Sequence, residues 1–271
     1  MDLATLAWRT NNTGVNESYY NPNLTCKTMS HTLNILIVII ALVGLVGNAT
    51  VLWLLGFHMH RNAFSVYILN LAGADFLFLC FQTVYSISDI IHNHNIHIGL
   101  EKYLRIVFNF TYLSGLSMIS AISAERCLSV VWPIWYRCRR PRHTSAVMCA
   151  LLWALSLLLS LLEGMACGLL YDGFGYGWCE KLDFITFAWL IVLVVILSGS
   201  TLTLLVRIFC GSRRMPVTRL YVTIAFTVLV FLLFGLSYGI YWFFILWIWW
   251  PLDIFPCDIY AITTFLSCVN S

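Results

Sequence analysis

The sequence predicts an all-α integral membrane protein, a bundle of six complete helical spans and an incomplete seventh. Three observations carry this expectation. Hydrophobic residues make up 61% of the 271 positions and charged residues only 10%, whereas about a quarter of the residues of an average soluble domain are charged. The apolar residues fall in stretches long enough to cross a hydrocarbon core, which takes about 20 residues at about 1.5 Å of rise each. The basic residues gather in the short polar connections on one side of those stretches, as loops kept on the cytoplasmic side do.

Residues 1–31 form a polar tail. It lacks the basic start and apolar run of a cleavable signal peptide, so none is expected. Asn11, Asn16 and Asn23 each open an N-x-S/T sequon, which predicts a glycosylated, extracellular tail. Sequons at Asn48 and Asn109 fall inside apolar segments and are not expected to be used. The spans of the unit 32–271 are read as Thr32 to Phe57, Ala63 to Ile91, Leu100 to Val131, His143 to Ala166, Leu182 to Cys210 and Val217 to Trp250. A seventh begins near Cys257 and reaches Ser271, about 21 Å of helix against a core of about 30 Å. The seventh span is therefore expected to be partial, and the chain to be either a fragment or a truncated product impaired in its activity.

Charge fixes the orientation. Arg61, Arg126, Arg137, Arg139, Arg140, Arg142, Arg207, Arg213, Arg214 and Arg219 fall on one side, and Arg9, Lys27, Lys102, Arg105 and Lys181 on the other. Ten acids join the second side, Asp75 lies at mid-depth and Glu125 alone accompanies the arginine-rich side. The expectation is a multi-pass plasma-membrane protein with its N-terminus outside. Trp132 and Trp135 beside the arginine corner, and Trp247, Trp249 and Trp250 opposite, suit the two aromatic belts. Lipid is thus the surrounding partner, and nothing points to nucleic acid.

Polar residues within spans are the functional candidates, because a bilayer tolerates charge only where it is paired or serves a purpose. Asp75 lies about 18 Å along its helix from Ala63, with Asn48 at similar depth on the first span. A structural, protonated Asp75 is the plain reading; an ion or water site shared with Asn48 is the functional one. Glu125 and Arg126 sit at the cytoplasmic end of the third span, followed by the arginine cluster. Glu163 lies about 30 Å along the fourth span, at the outer boundary, and Asp183 opens the fifth.

Gly47–Asn48, the run LAGAD ending at Asp75, Glu125-Arg126-Cys127 with Pro133 beyond it, and Trp153 resemble rhodopsin-like G-protein-coupled receptors. The stretches SAERCLSVVWPIWYRCRRPRHTSA, LLWALSLLLSLLEG and VRIFCGSRRMPVTRLYVT narrow the resemblance to the Mas-related receptors, of the rodent type, a branch of sensory neurons and mast cells. The similarity runs from about Leu36 to Ser271. It implies a seven-helix rhodopsin-like bundle, not an enzyme, that needs no cofactor or metal and activates heterotrimeric G proteins. It also implies coupling through Arg126, restrained at rest by Glu125, with Arg139 and Arg140 contributing. Cys127 in place of tyrosine and Gly235 in place of the helix-six tryptophan agree with that family; Ser237 departs from its proline, removing a kink.

The same resemblance implies a disulfide between Cys167 and Cys179, and less firmly one between Cys26 and Cys257, since four extracellular cysteines allow three pairings. Such a bridge brings Glu163 and Asp183 together at an outer mouth, where the matching family pair takes the basic groups of cationic peptides or small amines. Trp242, Tyr238, Phe174 and Trp178 would supply aromatic faces. Solvated interface charges are the plain alternative. Two other classes are weighed. His92, His94 and His97 suggest metal ligation, but no acidic or second histidine box accompanies them, so no metal is expected and the triplet is read as part of an outer loop. A transporter would show internal repeats or broken helices, and neither is found.

Overall fold

A computed structural model describes residues 22–58, 62–91, 94–141, 143–168, 176–210, 239 and 258–270. These form seven α-helices: α1 (Pro22–Trp53), α2 (Ala63–Ile91), α3 (His94–Val131), α4 (Pro133–Cys138), α5 (Thr144–Ala166), α6 (Tyr176–Cys210) and α7 (Asp258–Asn270). A wider π-helical turn, Leu54–His58, extends α1. Five helices are long and apolar enough to cross a membrane: His31–His58, Ala63–Ile91, Tyr103–Val131, Thr144–Ala166 and Gly177–Arg207. The span expected at 217–250 lies outside the described residues, apart from Gly239.

Helices α1, α3 and α6 begin at Pro22, His94 and Tyr176, earlier than the apolar runs that mark them in the sequence. Apolarity reports depth in a bilayer, while backbone hydrogen bonding continues past the boundary. His94 and His97 thus belong to the first turns of α3, which corrects the loop reading for these two, while His92 lies outside the described residues. Helix ends follow local chemistry. Asn62 caps α2, its Oδ1 accepting from the backbone N–H of Phe64 at 3.0 Å and of Ser65 at 2.7 Å, as an N-cap side chain should. Pro133, at the first position of α4, loses no helical hydrogen bond there. Gly168 closes α5 at φ +73°, the left-handed conformation that favours glycine.

The surface is inverted relative to a water-soluble protein. Val43, Val46, Val195 and Leu202 are exposed, while Ser86, Ser114, Ser120 and Ser156 are buried. Leucine, valine and isoleucine in such numbers on the outside fit hydrocarbon as the solvent. Buried hydroxyls then need partners inside the bundle, and many bond their own helix: Thr111 Oγ1 donates to Val107 O at 2.8 Å and Ser114 Oγ to Phe110 O at 2.8 Å, a standard device for serine and threonine within helices.

Helix α3 is the hub and the most buried of the five spans. One core cluster joins Ile37 and Ala41 of α1, Phe78 and Leu79 of α2, Leu104 and Phe108 of α3 and Cys268 of α7. A second joins Leu116 of α3 to Leu193 and Leu197 of α6. The third packs Tyr67 of α2, Met118 of α3 and Cys149 and Leu152 of α5. Cross-links fix the register: Ser123 Oγ lies 2.6 Å from Ser200 Oγ of α6, and Trp153 Nε1 donates to Asn70 Oδ1 at 3.0 Å. Since α3 and α6 run one way and α5 the other, Glu163 comes to one end of the bundle and Glu125 to the opposite end.

Candidate functional site

At the first end, three helices converge on Glu163. Its Oε2 accepts from Asn109 Nδ2 of α3 at 2.7 Å and from Thr186 Oγ1 of α6 at 3.1 Å. Both donors are neutral. A disulfide joins Cys167, just past α5, to Cys179 in the first turns of α6, with the Cα atoms 4.7 Å apart. Asp183 stands one turn beyond Cys179, its oxygens 4.0 and 3.9 Å from the sulfurs of Cys167 and Cys179. Disulfide sulfurs carry no hydrogen, so these are packing contacts. For the same reason the grouping of Cys167, Cys179 and Asp183 is not a ligand set for a metal: the thiolates that would bind one are consumed in the bridge.

Asp183 lies close enough to Glu163 for its charge to act there, as does that of the exposed Arg105 on α3. Among the described residues, neither carboxylate has an ion-pair partner. The exposed Trp178 carries Lys181 Nζ 4.9 Å above its ring, a cation–π contact at the same end. Phe174, Tyr238, Trp242 and Cys257, like Asn11 and Asn16, lie outside the described residues. Asn23 and Cys26 fall in α1 by backbone only. Gly239 is buried against α3 and α6: a Cβ there would meet the Tyr112 hydroxyl at 2.8 Å and Leu190 Cδ1 at 3.3 Å.

At the opposite end the arrangement departs from the resemblance. Glu125 Oε1 accepts from Arg140 Nη2 at 2.7 Å and from the Tyr67 hydroxyl at 3.0 Å, and Arg140 Nη2 also reaches Ser145 Oγ at 2.6 Å. The side chains of Arg140 and Glu125 are 8% and 12% exposed, so water screens the pair weakly. Burial works against the Arg140 charge, but Glu125 more than offsets it and holds the guanidinium's proton more firmly than water does. Arg126 is not the ion-pair partner of Glu125; its guanidinium carbon lies 3.3 Å from the centre of the Phe64 ring. The expectation that Glu125 restrains Arg126 is corrected accordingly, because the loop folds back and supplies a nearer cation. Arg139 and Arg140 also part company: Arg139 is exposed, whereas Arg140 turns into the bundle.

Asp75 and Asn48 are not joined. Asn48 Nδ2 donates to Gly44 O at 3.1 Å, along its own helix. Asp75 faces α3 at Gly115, where an added Cβ would stand 3.5 Å from its Oδ1. Cys80, Cys127, Cys138, Cys149 and Cys268 are free thiols. Sequence reasoning missed Asn109, Thr186, Tyr67 and Ser145. The signal for Asn109 is present in the sequence, a polar residue in an apolar span that also opens a sequon.

The chain matches the model of the 7 transmembrane receptor (rhodopsin family) over residues 47–271. It is 61% identical over 264 residues to the Mas-related G-protein coupled receptor member X2 of Mus musculus, covering 97% of this chain and 75% of that relative. It is 58% identical over 271 residues to member B4 of Rattus norvegicus, and 57% identical over 275 residues to member X2 of Homo sapiens, in each case covering 100% of this chain and 82% of the relative. The chain belongs to the rhodopsin-like seven-transmembrane receptors and, within them, to the Mas-related G-protein-coupled receptors, a family of receptors and not of enzymes.

Proposed function

We propose that this receptor senses cationic peptides or small amines at Glu163 and Asp183 and activates heterotrimeric G proteins through the end that carries Glu125, Arg126 and Arg139. In this reading it stands in the plasma membrane of sensory neurons or mast cells with its N-terminus outside. The observation that carries it is the meeting of two half-buried carboxylates that have no ion-pair partner among the described residues. Neutral donors orient Glu163, and the exposed Arg105, whose charge reaches it, forms no ion pair with it. An incoming ammonium or guanidinium then meets two carboxyl groups where the surroundings screen poorly, and its own charge favours their ionised form. Trp178 beside Lys181 supports the reading, as an aromatic face at this end that already holds a cation. The disulfide supports it too, by tying the α5 end to the α6 start that bears Asp183.

The test is nucleotide exchange on a heterotrimeric G protein in membranes bearing the receptor, stimulated by an arginine-rich peptide. Glu163→Gln and Asp183→Asn should each raise the half-maximal peptide concentration about 10-fold or more, the worth of one charge-assisted hydrogen bond. Unchanged potency in both variants overturns the site.

A further inference from the structure

The loop between α3 and α5 is fastened to the bundle by its own arginine. We infer that Arg140, Glu125, Tyr67 and Ser145 form a latch that sets the posture of α4, and that Arg140 is therefore a positioning residue for the coupling end. Arg126, held on Phe64, takes no part in it. The second clause of this inference rests on the coupling reading above; the latch itself does not.

Four features make this a latch and not a chance surface contact. It joins three separate parts of the chain: Tyr67 on α2, Glu125 on α3, and Arg140 with Ser145 at the loop's return into α5. Its base is rigid, since Tyr67 is 1% exposed and packs against Met118, Cys149 and Leu152. The loop is otherwise lightly held, because α4 has only six residues, and Trp132 before it and Ile134 and Trp135 within it face outward. The Tyr136 ring lies beneath the guanidinium, 5.0 Å from its carbon. Burial, followed by the Glu125 charge, pushes the Tyr136 hydroxyl up and keeps it protonated. The latch is also built to open. A single nitrogen, Arg140 Nη2, serves both Glu125 and Ser145, and Glu125 Oε2 has no hydrogen-bond partner, so this is not the two-bond fork that holds arginine and carboxylate most firmly.

Exposed Ile134 and Trp135 move with α4. Their position relative to Arg126 is thus set by a bond between Glu125 and Arg140, fifteen residues apart in sequence. Release of Arg140 would free α4 and return an unpaired carboxylate beside Arg126, changing the shape and the charge of the coupling end together.

Hydrogen–deuterium exchange of the purified full chain in detergent, resolved to the peptide covering 132–143, tests this directly. Arg140→Gln and Glu125→Gln should each speed exchange there about 10-fold or more, and the double variant no further, because both remove the same bond. Arg140→Lys should recover part of the protection through its retained charge. Arg126→Gln should leave the segment as it is. Loosening by Arg126→Gln equal to that by Arg140→Gln, or additive effects of the two latch substitutions, overturns the latch. In the second arm, basal nucleotide exchange on a G protein should differ between Arg140→Gln and the unaltered receptor at equal peptide affinity. A loosened loop with the same basal exchange removes Arg140's positioning role. Lack of exchange with the unaltered receptor counts against the coupling reading, while the deuterium result still decides the latch.

Discussion

The two ends of the bundle handle a partly buried carboxylate in opposite ways. Glu125 receives a cation from the protein itself, at 2.7 Å. Glu163 receives an amide and a hydroxyl, at 2.7 and 3.1 Å, and its charged neighbour Asp183 is of the same sign. A buried charge paired internally is stable and strongly destabilising to disrupt. Glu163 is held by neutral donors, with the exposed Arg105 acting on it without an ion pair, and in the proposed reading is open to a cation from outside. In the proposed reading the same residue type serves as a fastener at one end and as bait at the other, and the difference lies in what the neighbouring segments supply: a loop arginine to Glu125, an amide and a hydroxyl to Glu163.

This contrast is most open to challenge through stability. Arg140→Ala leaves Glu125 buried and unpaired and should cost about 3–5 kcal/mol, read as a lowered thermal midpoint in detergent. Adding Glu125→Gln should recover much of that loss, since the stranded charge is gone. Next in size is the bridge. Replacing Cys167 and Cys179 together by serine should cost about 2–4 kcal/mol and weaken binding of a cationic peptide as well, because Asp183 sits on the turn the bridge anchors. A full loss of stability with undiminished peptide affinity would separate the bridge from the site. Glu163→Gln should do the reverse of Arg140→Ala: the thermal midpoint holds or rises as a like-charge contact is removed, while affinity for the peptide falls. A fall in both would make Glu163 another fastener. Smallest is Trp53→Phe on the exposed face of α1, expected within about 0.5 kcal/mol of the unaltered chain and without effect on affinity.

The spans were legible because a bilayer imposes a length and an apolarity that few other environments require. Their extensions were not, since the polar first turns of α1, α3 and α6 carry no hydropathy signal. The outer carboxylates were legible from depth: twenty residues of helix place Glu163 near the boundary from which Asp183 starts. Their setting was not, because Asn109 and Thr186 come from two other helices, and only the packing of α3 between α5 and α6 brings them together. The Glu125–Arg140 pair illustrates the same limit. Adjacent Glu125 and Arg126 invite pairing by proximity in sequence, yet neighbouring helical residues point in different directions, and Arg126 is directed to Phe64. The folding back of a fifteen-residue return that includes α4 is a tertiary event with no periodicity to announce it.

The central proposal, that Glu163 and Asp183 form an acidic site for cations, is tested most directly by saturation binding of a fluorescent arginine-rich peptide to membranes containing the full chain. The account predicts about 10-fold or more weaker binding to Glu163→Gln and to Asp183→Asn, and little binding of the same peptide with its arginines replaced by citrulline. Equal affinity of both variants and the unaltered chain for the cationic peptide would contradict it.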